Sequence, residues 1–183
     1  MIARRNLLPV IDLAYLGLGD DLETDGAGMR HLLRHVPYAL VAFSCDKNFG
    51  LYRERAGALL VQAPDAARSS SLMTNLCALA RANWSMPPDH GAAVVRTILE
   101  DSALRTVWRA ELAEMQARIA GVRAALAATS PQLSGLTAGR GMFANLAVSP
   151  EQVQRLRTEH AGYMAGSGRI NLAVLFDDGQ LAP

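Results

Sequence analysis

Short apolar runs alternate with polar, turn-forming segments over the first hundred residues. Three of these runs, at residues 7–14, 38–43 and 56–61, consist almost entirely of apolar side chains. Such runs are typical of strands that are covered on both faces, as in a parallel sheet. We therefore expect three adjacent buried strands in the first part of the chain.

Three other segments carry apolar residues at the three- and four-residue spacing of an amphipathic helix. This spacing predicts a helix over residues 26–36, one that opens at Asp65 behind a proline, and one over residues 90–99. The alternation of strands and helices indicates an α/β arrangement.

A longer apolar stripe follows Ser102, a residue that fits the N-cap of a helix. The stripe advances in alternating steps of four and three residues and lasts only about three heptads, so it predicts packing against a core rather than a coiled coil. Its members are Leu104, Trp108, Leu112, Met115, Ile119, Val122 and Leu126.

After the long helix the pattern becomes shorter and more mixed. Ser149 and Pro150 suit the N-cap and first position of a helix that ends near residue 160. The other predicted elements are a loop over residues 130–140 and strands over 142–148, 163–165 and 170–175.

The order of these elements predicts an α/β chain in two parts. Residues 1–101 would form part of a large domain with a parallel sheet, and residues 102–183 a smaller α+β domain that includes the long connecting helix. A chain of 183 residues is long enough for one domain or two small ones.

Composition excludes several classes of partner. Half of the residues are apolar and the net charge is +1, so nothing indicates binding to nucleic acid or to an anionic membrane. No stretch reaches the roughly 18 apolar residues that span a bilayer, and the first residues lack the apolar segment of a signal peptide. Cys45 and Cys77 have neither the number nor the spacing of a disulfide framework or a metal site. We expect a cytoplasmic protein without a metal site.

Lys47 is the only lysine in the chain, whereas 17 residues are arginine. It comes directly after the second apolar run. A lysine side chain can lose its proton and attack a carbonyl, and an arginine side chain cannot. Lys47 is therefore a candidate Schiff-base lysine. On composition alone, the alternative is a chance surface lysine at the end of a strand.

Four segments, taken in order along the chain, resemble the aspartate and aromatic amino acid aminotransferases, which are pyridoxal phosphate enzymes of fold type I. The resemblance extends over nearly the whole chain, and the order and spacing of the four segments make it specific. The segments are Asp12-Leu13-Ala14-Tyr15, Ser44-Cys45-Asp46-Lys47-Asn48-Phe49-Gly50-Leu51-Tyr52-Arg53-Glu54-Arg55, Arg81-Ala82-Asn83-Trp84-Ser85 and Ser167-Gly168-Arg169-Ile170-Asn171.

The resemblance implies a cofactor, pyridoxal 5′-phosphate, and the residues that would hold it. Lys47 would form the Schiff base and then move a proton during catalysis, assisted by Tyr15, which would hydrogen-bond the ring 3′-oxygen. Asp12 would pair with the pyridine nitrogen and keep it protonated. Ser44 and Arg55 would hold the phosphate, Arg55 through a charge-assisted fork.

The resemblance also implies the substrates and their contacts. Arg169 would clamp the α-carboxylate of the substrate. Arg81 matches an arginine that crosses from the neighbouring subunit of a homodimer to the second carboxylate of aspartate, glutamate or 2-oxoglutarate. Phe143 matches an aromatic residue on the small-domain side of the substrate site. The implied reaction is amino transfer between an L-amino acid and 2-oxoglutarate, with aspartate and aromatic donors both left open.

The resemblance covers only the C-terminal half of these enzymes. The groups of the other half that bind the phosphate and stack on the cofactor ring have no counterpart in this sequence, so we expect weak cofactor binding and slow turnover. The alternative is a catalytically inactive truncated remnant, or a split-gene fragment that needs an N-terminal half. Asp46 stands where a small neutral residue is more usual, and the sequence leaves the direction of its side chain open.

Overall fold

The computed structural model describes residues 1–174 and divides the chain into two compact units. Unit 1 comprises Met1–Gly17 and Leu22–Glu111, and unit 2 comprises Leu18–Asp21 and the chain from Leu112 onwards. The division falls inside the long helix rather than at its first residue. The domain boundaries given above stay a prediction.

Unit 1 contains a three-stranded sheet in the order β1, β2, β3. The strands are β1 (Val10–Leu13), β2 (Ala39–Ser44) and β3 (Gly57–Gln62), which confirms the positions predicted from the apolar runs. Strands β1 and β2 are parallel and are connected through helix α1 (Leu22–Leu33). This connection places the carboxyl ends of β1 and β2 at the same edge of the sheet.

Strand β3 runs antiparallel to β2, which corrects the expectation of a parallel sheet for this strand. The segment between them, residues 45–56, contains no helix. A parallel neighbour needs a crossover connection, usually through a helix, whereas an antiparallel neighbour can follow a short loop. The apolar run at 56–61 identified the strand but carried no information on its direction.

Helix α1 begins four residues earlier than the predicted helix over residues 26–36. Gly26 and Gly28 lie inside the helix, where glycine is about 1 kcal/mol less favourable than alanine. Gly26 is buried, and a Cβ atom there would lie 2.6 Å from the guanidinium of Arg30 and 3.6 Å from the side chain of Leu16. Close packing therefore explains this glycine, which the helical pattern alone placed at the helix start.

The sheet strands are less covered than their composition predicted. Val10, Leu59 and Leu60 are 68%, 46% and 55% exposed, so the expectation of fully buried strands is wrong for β1 and β3 in unit 1. Only the central strand β2 contributes buried side chains, among them Ala39 and Val41.

Three further helices confirm the helical predictions: α2 (Ala66–Trp84), α3 (His90–Glu100) and α4 (Ser102–Ala128). The side chain of Asp65 accepts the N–H of Arg68 and caps α2, as expected. None of the helices over residues 1–174 combines the length and apolar character needed to cross a bilayer.

The start of α4 is capped by Asp101 rather than by Ser102. The Asp101 carboxylate accepts the N–H groups of Ala103 and Leu104 at 2.8 Å and 3.0 Å. The predicted apolar stripe of α4 is buried at Leu112 (2% exposed) and Ile119, but Leu104 and Met115 are exposed. Packing against a core is therefore confirmed for part of the stripe only.

Unit 2 contains two antiparallel strands, β4 (Phe143–Asn145) and β5 (Arg169–Asn171), and the helix α5 (Pro150–His160). Helix α5 confirms its prediction, and Ser149 and Gln152 form a reciprocal capping box at its start.

Three of the shorter predictions in unit 2 need correction. A 3-10 helix, Pro131–Ala138, occupies most of the predicted loop, and no strand is present over residues 163–165. The predicted strand over 170–175 is β5 followed by the 3-10 helix Leu172–Val174, and its last residue lies outside the described residues. Runs of two or three apolar residues are too short to separate strands from tight turns.

Candidate active site

Most of the residues singled out in unit 1 lie at the edge formed by the carboxyl ends of the parallel strands. Asp12 is the third of the four residues of β1, Tyr15 follows two residues after the strand, and Ser44 ends β2. Residues 45–56, here named the lysine loop, leave β2 at this same edge and contain Lys47. In open α/β sheets the carboxyl ends of the strands are where ligands bind.

Two tyrosine rings border the amine of Lys47. The Nζ atom lies 5.3 Å from the ring centroid of Tyr15 and 5.5 Å from that of Tyr52, and the lysine side chain is 21% exposed. These are cation–π distances, so both rings stabilise a positive charge at Nζ. Tyr15 was predicted from the sequence, whereas Tyr52 was not. The only feature of the sequence that could have indicated Tyr52 is its position in the lysine loop, five residues after Lys47.

Asp46 points into the protein, which answers the question that the sequence left open. The residue is 3% exposed. Its Oδ2 atom accepts a hydrogen bond from Arg55 Nη1 at 2.5 Å and lies 3.7 Å from Lys47 Nζ. The carboxylate therefore sits between the two cations that the sequence assigned to the cofactor site.

Arg55 reaches Asp46 from an unusual backbone conformation. Its φ angle of +53° lies in the left-handed region that residues other than glycine seldom adopt. Besides the ion pair, Nη1 donates to the carbonyl of Tyr52 at 3.0 Å, and most of the Arg55 side chain is exposed. Strained residues of this kind cluster at functional sites, where the surrounding structure holds them.

Ser44 fixes the start of the lysine loop. Its Oγ atom accepts the N–H of Asp46 at 3.2 Å. Across the sheet, Gly57 lies opposite Ser44, and a Cβ atom at Gly57 would come within 2.5 Å of the carbonyl oxygen of Phe43. Only glycine allows the two strands to approach this closely, so the loop begins and ends at a defined place.

Cys45 is held as a thiol. It is 5% exposed, and its N–H donates to the carbonyl of Ala56 at 3.0 Å. Burial, and secondarily the negative charge of Asp46, raise the pKa of the Cys45 thiol. Because the thiolate is the nucleophilic form, this shift lowers the reactivity of Cys45.

Asn48 and Trp108 anchor the middle of the lysine loop. The Asn48 amide donates to the carbonyl of Leu16 at 3.3 Å, and Trp108 Nε1 donates to the carbonyl of Asn48 at 2.6 Å. The ring of Trp108 also stacks on Phe49 at a centroid distance of 4.5 Å. The sequence had assigned Trp108 only to the apolar stripe of α4, and nothing in that pattern indicated its polar partner.

The start of α3 supports the end of the lysine loop. His90 Nδ1 lies 2.9 Å from a carboxylate oxygen of Glu54. A Cβ atom at Gly91 would lie 2.8 Å from the Cβ of Glu54 and 3.0 Å from that of Ala56. Glycine at this position lets the helix pack directly against the residues on either side of Arg55.

Asp12 and Arg81 are the two predicted site residues of unit 1 whose side chains make no polar contact with the rest of the described chain. Asp12 is exposed on β1 and Arg81 is exposed on α2. Neither side chain makes a hydrogen bond or ion pair with any residue from 1 to 174.

Arg169 and Phe143 come together in unit 2. They start the adjacent antiparallel strands β5 and β4, and the guanidinium carbon of Arg169 lies 3.8 Å from the ring centroid of Phe143. The buried Arg123 supports this pair by donating to the carbonyls of Gly141 and Phe143 at 2.7 Å and 2.8 Å. Burial, with a smaller contribution from Arg140, lowers the pKa of Arg123. The aromatic ring holds the Arg169 guanidinium while leaving its donors exposed.

Comparison with known proteins places the chain among enzymes of one family. The family model described as aminotransferase class I and II matches residues 1–179. The tyrosine aminotransferase of Rhizobium meliloti (strain 1021) is 54% identical over 179 residues, covering 96% of this chain and 46% of that protein. The aspartate aminotransferase of Escherichia coli (strain K12) is 40% identical over 182 residues, covering 96% of this chain and 46% of that protein.

Solved structures agree with the sequence relatives. A crystal structure of an aromatic-amino-acid aminotransferase from Burkholderia pseudomallei, covalently bound to pyridoxal phosphate, has a TM-score of 0.93 and 34% identity, and the match covers 98% of this chain and 46% of that one. This confirms the expectation that the fold is part of an aminotransferase fold. The chain spans about half the length of the curated relatives it matches. With a family model that matches nearly all of its residues, the chain belongs to the aminotransferase class I and II family.

Proposed function

We propose that this chain carries the covalent and carboxylate-binding residues of an aminotransferase that uses pyridoxal 5′-phosphate to move an amino group between an L-amino acid and 2-oxoglutarate. The observation that carries the proposal is the setting of Lys47. The single lysine of the chain lies at the carboxyl edge of the sheet, between the rings of Tyr15 and Tyr52. This is where α/β proteins bind ligands, and no other lysine is available in the chain to hold the cofactor covalently.

The chemistry of the surrounding donors fits this cofactor. The aldehyde of the cofactor reacts with a primary amine, which Lys47 supplies. A phosphate calls for charged and hydroxyl donors, which Arg55 and Ser44 supply at the end of β2. The same part of the site also contains the buried carboxylate of Asp46, which contacts Arg55.

When bound, pyridoxal phosphate supplies an aldehyde carbon and a ring that withdraws electrons from the substrate Cα. Lys47 Nζ would be the covalent attachment point and, once released, would take the proton from the substrate Cα and return it. Tyr15, whose ring already borders Nζ, would donate a hydrogen bond from its hydroxyl to the 3′-oxygen that the cofactor ring carries.

The remaining unit 1 residues would hold the two ends of the cofactor. Asp12 would place its carboxylate at the pyridine nitrogen, and its lack of any other partner in the described chain leaves it available for that contact. Ser44 and Arg55 would bind the phosphate at the start and end of the lysine loop. A guanidinium suits this task because its donors match two phosphate oxygens at once.

Substrate carboxylates would be bound by arginines. Arg169, held against the ring of Phe143, would bind the α-carboxylate. Arg81 would meet a second carboxylate across the interface of a homodimer, which agrees with its exposure and lack of partners in the described chain. The tyrosine and aspartate specificities named for the two relatives support both aromatic and acidic amino donors. Two free cysteines agree with a cytoplasmic location.

The proposal is tested by a single-turnover assay with the purified chain. The protein is mixed with pyridoxal phosphate and either L-tyrosine or L-aspartate, and pyridoxamine phosphate and the 2-oxo acid are measured by mass spectrometry. We expect both products from the wild type and background levels from Lys47→Ala. The variant Arg96→Ala, an exposed arginine on α3, is the matched control and should behave as the wild type. Equal product from the wild type and Lys47→Ala would contradict the proposal.

A catalytically inactive chain is the second candidate, and one observation favours it. Asp46 neutralises the guanidinium that should receive the phosphate. An inactive chain would form the covalent bond at Lys47 but yield no 2-oxo acid with either donor, unless an N-terminal half is added. The same assay therefore separates the two candidates when the covalent bond is measured in parallel.

A further inference from the structure

Asp46 is the only buried carboxylate of the lysine loop, and no other carboxylate is buried within the described residues. The side chain is 5% exposed, and its Oδ2 atom contacts Arg55 at 2.5 Å and Lys47 at 3.7 Å. Both cations that the proposed function assigns to the cofactor thus share one oxygen of the protein itself. The Asp46 carboxylate therefore contacts Arg55 at the position that the proposed function gives to the phosphate.

The second oxygen of the carboxylate shows that this arrangement is not satisfied within the protein. Asp46 Oδ1 is buried and has no hydrogen-bond partner in the part of the chain that the structure describes, and the same holds for Asn48 Oδ1. A buried carboxylate without full hydrogen bonding is costly and persists only when cations hold it. The ion pairs with Arg55 and Lys47 stabilise the buried Asp46 carboxylate in this way.

We propose that Asp46 is a specificity residue that occupies the anion position at Arg55 and so lowers, without abolishing, the affinity of the site for the phosphate group of a ligand. The inference rests on the proposed function, because it takes Ser44 and Arg55 as the phosphate contacts. A phosphate ester carries close to two negative charges at neutral pH. To reach Arg55 it must displace the Asp46 carboxylate or lie beside it, and either arrangement leaves like charges close together in a partly buried place.

The same contact should matter little for a ligand without a phosphate. Unphosphorylated pyridoxal presents the same aldehyde to Lys47 and the same ring to Tyr15, but no anion to Arg55. The affinity for pyridoxal therefore depends on Lys47 and the ring of Tyr15 and not on Arg55. Comparing the two forms of the cofactor isolates the effect of Asp46 on the phosphate.

The test measures dissociation constants for three probes: pyridoxal phosphate, unphosphorylated pyridoxal and inorganic phosphate. The proteins are the wild type, Asp46→Asn, which keeps the shape and removes the charge, and Asp46→Ser, which is small and neutral. The matched control is Asp20→Asn, which removes an exposed aspartate–arginine pair in unit 2, where Asp20 Oδ1 lies 2.8 Å from Arg140 Nε. Absorbance titration follows the aldehydes, and calorimetry follows phosphate.

Both Asp46 variants should bind pyridoxal phosphate and inorganic phosphate at least about tenfold more tightly than the wild type, while the affinity for pyridoxal changes by less than about threefold. Asp20→Asn should change none of the three constants. Equal changes for pyridoxal and pyridoxal phosphate, or unchanged binding of inorganic phosphate in both Asp46 variants, would overturn the inference.

The outcomes separate this inference from the proposed function. If borohydride reduction traps neither aldehyde on Lys47 in any of the proteins, the proposed function fails. The phosphate titration still decides the inference in that case, because it depends only on Arg55 and Asp46. If Lys47 is trapped but phosphate binding ignores Asp46, the proposed function stands and the inference fails.

Discussion

Single residues set the chemistry of the lysine loop, and Asp46 affects several of them at once. Its carboxylate binds Arg55 and Lys47 and, after burial itself, is the second cause of the raised pKa of the Cys45 thiol. A thiol with a raised pKa carries less thiolate at any given pH and reacts more slowly. The reactivity of the Cys45 thiol therefore depends on its burial and on the charge of Asp46, although Cys45 has no part in the proposed reaction.

Thiol labelling tests this description of Cys45. In the folded protein, the variant that retains only Cys45 (Cys77→Ser) should react with a maleimide or disulfide reagent at least about tenfold more slowly than the variant that retains only the exposed Cys77 (Cys45→Ser). Because the pKa of Cys45 is raised, its rate should climb only at pH values above the usual thiol range. Equal rates in the two folded variants would show that Cys45 is neither buried nor electrostatically suppressed.

At the residue scale the sequence identified Lys47 through composition, since a single lysine among 17 arginines stands out. The direction of Asp46 could not be predicted, because a loop lacks the fixed alternation of side chains that a strand provides. Tyr52 was missed for the same reason. Its ring reaches the Lys47 amine only through the path of the loop.

At the scale of secondary structure, three elements hold the lysine loop in place. Strand β2 begins it, α3 packs against its end through Gly91, and α4 binds its middle through Trp108. The strand positions were predictable because apolar runs mark them. The antiparallel direction of β3 and the support from α4 were not, since both depend on contacts between residues far apart in sequence.

Removing the polar contact of Trp108 tests the support from α4. Trp108→Phe keeps a ring against Phe49 but leaves the buried Asn48 carbonyl without its donor, so we expect a loss of about 1–2 kcal/mol in the free energy of unfolding. Faster amide hydrogen exchange should be confined to residues 45–56. The measurements are urea denaturation and hydrogen exchange followed by mass spectrometry.

The second tryptophan provides the matched control. Trp84 lies at the end of α2 and is 58% exposed, so Trp84→Phe should change the free energy of unfolding by less than about 0.5 kcal/mol. If both substitutions had the same effect, the hydrogen bond to Asn48 would not anchor the loop.

At the scale of the molecule, the sheet of unit 1 leaves apolar surface open to solvent. Leu59 and Leu60 are consecutive residues of β3, point to opposite faces and are both exposed. Exposed apolar strands at the edge of a sheet favour association with other chains. An apolar strand is fully buried only when both of its faces are covered, and β1 and β3 lack that cover in unit 1.

Sedimentation velocity over a range of concentrations tests the consequence. The wild-type chain should associate as its concentration rises, and Leu60→Lys should shift the distribution towards smaller species, because a charge on β3 opposes stacking and edge pairing. Val107→Lys, which replaces an equally exposed apolar residue on α4, should leave association unchanged. A wild-type chain that stays a single species at every concentration would rule out this consequence of the exposed sheet.

The central claim is that Lys47 is the covalent attachment point for pyridoxal phosphate, and borohydride trapping measures it most directly. The protein is incubated with pyridoxal phosphate at increasing concentration, reduced, digested and mapped by mass spectrometry. Because the chain has one lysine, the N-terminal amine is the only competing primary amine. The account predicts a reduced adduct on the peptide that contains Lys47, formed at lower cofactor concentration than any adduct at Met1 and lost in Lys47→Arg. An adduct confined to the N-terminal amine in the folded wild-type protein would contradict it.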